Sequence, residues 1–124
     1  MKYENLYQEF KDAVPECKEF CSQIEMKMQL DDTDGMYIYY GFVVAPYIVK
    51  TVLEGNQLVI HKIFDFMERM ALDEDEAVGG VLDIAILEHI IEKGNSISNE
   101  CKKYMLENTL HDIEQVEEYL CRNI

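Results

Sequence analysis

The sequence has few basic residues for its length, and it has no tryptophan. Its 124 residues include 11 Lys and Arg but 25 Asp and Glu, which gives a net charge of −14. Proteins that bind nucleic acids or anionic membranes neutralise phosphate groups with Lys and Arg side chains. The shortage of these residues argues against both kinds of partner. It is compatible with a basic protein partner, or with nothing more than solubility.

Long apolar runs and linkers are also missing. The longest uncharged run, from Gly35 to Val49, has 15 residues, which is shorter than the roughly 20 residues that a membrane-spanning helix requires. The amino terminus begins as a charged, amphipathic pattern and lacks the apolar stretch of a signal peptide. We therefore expect a cytoplasmic protein without a membrane partner. Residues 1–124 predict a single domain, since most domains contain about 50–200 residues.

No recognisable catalytic or metal-binding pattern is present. The cysteines are Cys17, Cys21, Cys101 and Cys121, and no Cys-x-x-Cys motif or histidine at ligand spacing accompanies them. We therefore predict small buried thiols, no cofactor, no metal and no enzyme activity. A metal- or thiol-dependent enzyme built on Cys17, Cys21 and a histidine is the alternative, which metal analysis of the purified protein would test.

Apolar residues recur at three- and four-residue steps along most of the chain, a spacing typical of amphipathic helices. The pattern predicts an all-α fold of six to seven antiparallel helices. The clearest are predicted near residues 36–54, 56–72, 75–93 and 97–107. The amino-terminal part predicts two helices or one kinked helix, interrupted at Pro15. A strand over residues 37–44 is the main alternative, because this segment is rich in β-branched and aromatic residues.

Two turns indicate how these helices are arranged. Gly-Asn pairs at residues 55–56 and 94–95 each separate the two helices of a pair. Their spacing of 39 residues is near the roughly 40 residues of HEAT-type repeats. The sequence therefore predicts either stacked helical hairpins of the HEAT-like type or an irregular bundle.

Single residues add finer predictions about the helices. Pro46 predicts a kink or a break shortly before it in the chain. The pair Gly79-Gly80 weakens a helix, and we expect the two glycines to allow the close approach of a neighbouring helix. Ser96 or Ser98 is expected to cap the segment that follows the second Gly-Asn turn.

The segment from Asp65 to Glu92 concentrates negative charge. It contains nine acidic residues and one basic residue, Arg69, so its net charge is −8. The acids at residues 73–76 precede an apolar helix, where they complement the helix dipole. The same charges suit a negative surface that attracts a basic protein. Tyrosines at positions 37, 39, 40 and 47 could anchor an interface, although core packing is the expected use of at least half of them.

Three segments in the middle of the chain carry a family resemblance. They are Val52–Asn56, Ile63–Glu68 and Asp73–Val78, and the pattern continues through Leu82 and Leu87-Glu88. On these residues, the stretch from about Phe42 to Ile91 resembles small, all-helical (HEAT-like) bacterial proteins. Those proteins are encoded beside secreted polymorphic toxins and contact-dependent growth inhibition toxins, and they are described as immunity proteins or as domains of unknown function. The pair Gly79-Gly80 departs from their pattern.

The resemblance implies that the chain acts by blocking another protein. An immunity protein binds one cognate toxin domain and covers or distorts its active site. An acidic immunity protein suits a nuclease toxin with a basic active-site cleft, and we expect a free monomer or a heterodimer with the toxin. The resemblance supplies no catalytic residues. An acidic helical-repeat adaptor or regulatory module without a toxin partner is the alternative, since it would use the same surfaces.

The expected contact residues are therefore chosen from the acidic segment and the tyrosine cluster. The predicted partner-binding residues are Asp65, Glu68, Asp73, Asp75, Glu76, Asp83, Tyr39 and Tyr40.

Overall fold

The computed structural model describes residues 1–122, and Asn123 and Ile124 of the predicted domain lie outside the described residues. Seven helices are present in residues 1–122, and no strand occurs there. They are α1 (Leu6–Ala13), α2 (Lys18–Met28), α3 (Met36–Glu54), α4 (Gln57–Ala71), α5 (residues 76–92), α6 (Asn95–Lys102) and α7 (Glu107–Arg122). The prediction of an all-α fold with six to seven helices is confirmed, and residues 37–44 are helical.

The two prolines have different effects on the helices. Pro15 begins a short 3-10 turn, Pro15–Cys17, which separates α1 from α2 and confirms two amino-terminal helices. Pro46 lies inside α3, which continues through it without a break. Because proline has no N–H to donate to the carbonyl one turn earlier, one hydrogen bond of the α-helix is lost there. In the residues directly before Pro46, over Tyr40–Val44, α3 widens into a π-helix.

A second π-helix forms the middle of α5, over Val81–Leu87. α5 packs against α3, α4, α6 and α7. It is nevertheless not covered on every side. The side chain of Ile84 is 54% exposed, so one face of the π-helix is open to solvent.

The two glycines at the start of α5 differ in their surroundings. A Cβ at Gly80 would lie 2.6 Å from the hydroxyl oxygen of Tyr37 on α3, whereas a Cβ at Gly79 would have no neighbour within 4 Å. The predicted close approach is therefore confirmed at Gly80 and is absent at Gly79.

At both Gly-Asn turns, the glycine and the asparagine lie at the junction between two consecutive helices. Gly55 has a φ of +75°, a conformation that favours glycine after a helix, and the Asn56 side chain accepts a hydrogen bond from the Val59 N–H. At the second turn Gly94, with φ +102°, directly precedes α6. The expected serine cap is wrong, because α6 begins at Asn95 and Ser98 is therefore buried inside it.

All seven helices contribute to one hydrophobic core, and α4 is central to it. α4 packs against α1, α3, α5 and α7 through a face of mostly apolar side chains, including Ile63, Phe64 and Met67. In a solenoid of stacked hairpins, each repeat contacts only its neighbours in the chain. The contacts of α1 and α7 with the distant α4 favour the irregular bundle over HEAT-like stacking.

Within residues 1–122, α3 is the one helix that is long and apolar enough to cross a membrane. It has 19 residues with a mean hydropathy of 1.4, and 50% of the scored window is buried inside the protein. It contains most of the 15-residue uncharged run noted in the sequence. Core helices and membrane-spanning helices share this length and composition, so these two properties do not separate them.

Candidate protein-binding surface

The acidic residues between positions 65 and 92 fall into two groups. Three of the nine make hydrogen bonds with other parts of the protein, namely Glu68, Asp73 and Asp75. The other six form no hydrogen bond and no salt bridge with any described side chain or backbone group. They are Asp65, Glu74, Glu76, Asp83, Glu88 and Glu92. Their charges are therefore available to a binding partner.

Asp73 and Asp75 organise the loop between α4 and α5. Asp73 Oδ2 lies 2.9 Å from the amino group of Met1, and Asp73 Oδ1 accepts a hydrogen bond from the Asp75 N–H. The hydrogen bond from the amino group is the main reason that the pKa of Asp73 is lowered. Asp75 caps α5 by accepting a hydrogen bond from the Ala77 N–H at 2.9 Å. Both carboxylates thus have local structural roles.

Glu68 holds α4 to the start of α7. Its two carboxylate oxygens accept four hydrogen bonds, from the backbone N–H and the side chain of both Asn108 and Thr109, at 2.8–3.0 Å. Burial alone would raise the pKa of Glu68, but these hydrogen bonds outweigh it and the pKa is lowered. α6 ends at Lys102, earlier than the predicted end near residue 107, and the helical path resumes at Glu107.

The two predicted aromatic anchors are placed differently. Tyr40 has no accessible surface and donates a hydrogen bond to the Leu6 carbonyl at 2.6 Å. It cannot contact a partner in this structure, because its side chain lies in the core. Tyr39 is partly exposed, packs against the Tyr7 ring at 4.5 Å and donates a hydrogen bond to the Asp31 carbonyl. Tyr39 therefore steadies the turn before α3 and keeps some accessible surface.

A groove between α5 and α7 contains the last predicted contact residue, Asp83. The groove has a volume of about 450 Å³ and more apolar than polar lining. α5 contributes three residues and α7 the other three, and they are Asp83, Ile84, Glu88, Gln115, Val116 and Tyr119. Because a π-helix has more residues per turn than an α-helix, the spacing of five brings Asp83 and Glu88 to one side of α5.

The electrostatics of the groove centre on Asp83. Its Oδ1 atom is buried and has no hydrogen-bond partner among the described residues. Burial is the main cause that raises the pKa of Asp83 to about 6, and the negative charges of Asp112 and Glu88 add to it. Burial also raises the pKa of Asp112 on α7. These three carboxyls form a negative region without a basic residue paired to it in residues 1–121.

The structure brings together only some of the predicted residues. Asp83 lies in the groove, whereas Asp73 and Asp75 lie in the loop before α5, and Glu68 on α4 is hydrogen-bonded to the start of α7. Four residues of α7 that line the groove or act on Asp83 were not predicted from the sequence, namely Asp112, Gln115, Val116 and Tyr119. No local pattern marks them, since their place beside α5 depends on how α7 packs.

The comparison with protein families gives one match. A sequence profile described as "Domain of unknown function (DUF7674)" matches residues 7–120. The chain belongs to the DUF7674 family. No curated protein and no solved structure matches it.

The matched region of this DUF7674 protein reaches from α1 to the last turns of α7. It therefore contains the whole groove and the Glu68 cap of α7. The family description assigns no activity, so the functional argument rests on the chemistry of these residues.

The thiols of the DUF7674 protein form no candidate metal site. Cys17, Cys21 and Cys101 are buried and free, as predicted, whereas the prediction is wrong for Cys121, which is exposed. No group of three or more potential metal ligands comes together in residues 1–122. The buried thiols therefore pack as small apolar side chains.

Proposed function

We propose that this protein is an immunity protein that binds and neutralises a basic toxin domain. The observation that carries the proposal is the set of six acidic side chains in residues 65–92 that have no partner within the described chain. Unpaired surface charges of one sign speed association with an oppositely charged protein and disfavour partners of like charge.

A nuclease toxin with a basic active-site cleft is the partner that fits this charge best. Its cleft must attract nucleic acid phosphates, so it presents the Lys and Arg side chains that an acidic inhibitor can cover. The resemblance noted over residues 42–91 supports the same role. In this proposal the protein acts by binding alone, works in the cytoplasm and forms a heterodimer with its toxin.

Co-purification tests the proposal directly. The protein is expressed together with the carboxy-terminal domain of any large secreted protein that a neighbouring gene encodes. We expect a stable complex whose toxin activity is blocked. If no complex forms and the toxin domain stays active, the immunity function is refuted for that partner.

Matched variants test whether the acidic segment makes the contact. The test variant carries Asp65→Asn, Glu74→Gln and Glu76→Gln, which neutralise exposed and unpaired acids. The control carries Glu4→Gln, Glu19→Gln and Asp32→Asn, which remove the same charge from exposed acids elsewhere. Slower association is expected for the test variant only. Equal slowing by both variants would show that net charge, and not this segment, directs binding.

A further inference from the structure

The groove between α5 and α7 differs from the rest of the acidic surface in having exposed apolar side chains beside its carboxyls. Ile84 on α5 is 54% exposed and Tyr119 on α7 is 64% exposed. Val116 lines the same groove and is partly buried. A partner segment that enters the groove would thus meet apolar surface and negative charge at one place.

Asp83 lacks a hydrogen-bond donor for one of its carboxylate oxygens. Its buried Oδ1 atom has no partner within residues 1–121, and it forms no salt bridge there. Leaving a buried carboxylate oxygen without a donor costs free energy. Glu88 and Asp112 lie near enough to act on its charge, and they supply no donor when ionised. A cationic donor from outside the chain would supply the missing partner of Asp83 and would also offset the negative charge of the other two carboxyls.

We propose that this groove receives an arginine side chain from a basic protein partner, with its guanidinium hydrogen-bonded to Asp83 and its alkyl stem packed along Ile84 and Val116. The proposal rests on the proposed function, since it names how the toxin domain is held. Charge complementarity between the unpaired carboxyls and the guanidinium argues for this occupant.

Arginine fits this groove better than lysine or a metal ion. The guanidinium is planar, weakly hydrated and able to donate two parallel hydrogen bonds to a carboxylate, and it stacks on aromatic rings such as Tyr119. An ammonium group is more strongly hydrated and suits an apolar-lined groove less. The described residues bring together no set of three potential metal ligands.

A short peptide tests the groove without the toxin. The probe is acetyl-Leu-Arg-Leu-amide, and the control peptide acetyl-Leu-Gln-Leu-amide has the same apolar residues without the charge. Backbone NMR signals of residues 83–88 and 115–119 are followed during titration of each peptide. We expect the arginine peptide to shift these signals in a saturable way and the glutamine peptide to bind about tenfold more weakly or worse. Shifts confined to other parts of the surface would overturn the proposal.

Two protein variants identify Asp83 as the partner of the guanidinium. Asp83→Asn keeps the shape of the side chain and removes its charge, while Asp32→Asn removes an exposed charge in the turn before α3 as a matched control. The affinity for the arginine peptide should fall about tenfold in Asp83→Asn and less than about twofold in Asp32→Asn. Equal affinities would overturn the proposal, and so would stronger shifts of the same signals by CaCl₂ or MgCl₂ than by the peptide.

The pH dependence of peptide binding gives a further readout. Binding of a cation favours the ionised carboxyl, so the affinity should rise with pH through about 6. The titratable groups that act on Asp83 are Glu88 on α5 and Asp112 on α7, and Asp112 in turn feels His111 and Glu68. The rise should disappear in Asp83→Asn. If the affinity still rises with pH in this variant, another group ionises in this pH range, and the assignment to Asp83 is overturned.

The outcomes separate this proposal from the proposed function. If the peptide docks in the groove but no toxin domain binds, the immunity function fails and the arginine site stands. If the toxin domain binds wild type and Asp83→Asn equally well, the immunity function stands and the arginine site fails.

Discussion

Asp83 is a single residue whose charge opposes folding. Its carboxyl has a pKa of 3.8 in an ordinary environment and about 6 in the folded protein. Between these values the folded state keeps a proton that the unfolded state has released. The raised pKa therefore makes stability fall as pH rises from about 4 to 6, and the loss is complete at neutral pH.

Asp83→Asn should accordingly stabilise the protein at neutral pH. We expect the free energy of unfolding to rise by about 1–2 kcal/mol at pH 7, allowing for the partial exposure of the side chain, and to change little near pH 4. Urea unfolding at the two pH values measures the difference. A loss of stability at pH 7 would mean that the ionised carboxylate has a favourable partner in the folded state.

Glu68 has the opposite effect, because its carboxylate accepts four hydrogen bonds from Asn108 and Thr109. Removing it leaves the first N–H groups of α7 and the buried Thr109 hydroxyl without an acceptor. Glu68→Ala should therefore cost about 2–3 kcal/mol at pH 7. Urea unfolding measures the change. Asp65→Ala, an exposed position earlier on α4, is the control and should change stability by less than about 0.5 kcal/mol.

The contribution of Glu68 to the free energy of unfolding should also depend on pH. Because its folded pKa is lowered from 4.5, its stabilisation is present above that value and disappears as pH falls through the lower folded pKa. A Glu68→Ala difference that stays constant down to strongly acid pH would contradict the cap.

The sequence could not assign these two residues to their roles. Both are acids in a charged segment, and charge clustering predicts exposure for each of them equally well. Their difference arises from α7, which brings Asn108 and Thr109 to Glu68 and brings Asp112 to Asp83. Such long-range packing leaves no mark in the local pattern.

At the level of helices, the two glycines of α5 form a matched pair. Gly79→Ala places a methyl group in open space, so it should stabilise the protein by about 0.5–1 kcal/mol through helix propensity and reduced freedom of the unfolded chain. Gly80→Ala should stabilise less or destabilise, because its methyl group would press on the Tyr37 hydroxyl at 2.6 Å. Thermal unfolding of both variants measures the difference.

Removing the Tyr37 hydroxyl should abolish that difference. In Tyr37→Phe the nearest remaining ring atom lies 3.9 Å from the added Cβ, which is ordinary van der Waals contact. Gly80→Ala made in this background should then stabilise about as much as Gly79→Ala, and a double-mutant cycle gives the coupling. The absence of coupling between Tyr37 and Gly80 would contradict the packing of α3 on α5.

The sequence predicts the helices well but not their internal form. Apolar spacing and the Gly-Asn turns place α3, α4 and α5 to within a few residues. The π-helices of α3 and α5 escape prediction, because a π-turn changes which face each side chain occupies without changing the composition. Tyr40, the first residue of the π-helix in α3, was predicted as an interface anchor and is buried.

The whole molecule carries a net charge of −14, and the nine acids of residues 65–92 are accompanied by one basic residue, Arg69. We predict that the association rate with the toxin domain falls about tenfold or more between about 50 mM and about 500 mM NaCl, because salt screens steering between exposed charges. Stopped-flow measurements at several salt concentrations give the slope. A rate that does not depend on salt would show that the acidic surface does not guide the encounter.

The all-α class and the acidic character of the whole molecule follow from composition and apolar spacing. The groove between α5 and α7 does not, since it exists only once α7 has packed against α4 and α5. The sequence alone therefore predicts a charged helical domain. The structure adds a defined groove as a candidate binding site.

Survival of cells that produce the proposed toxin partner, the same domain that is used for co-purification, tests the central claim most directly. The toxin domain is induced with or without this protein, and colony counts are compared together with recovery of the complex. We predict that wild-type protein restores growth and co-purifies with the toxin domain. Continued killing in the presence of soluble wild-type protein, with no complex recovered, would contradict the claim that this protein neutralises that toxin.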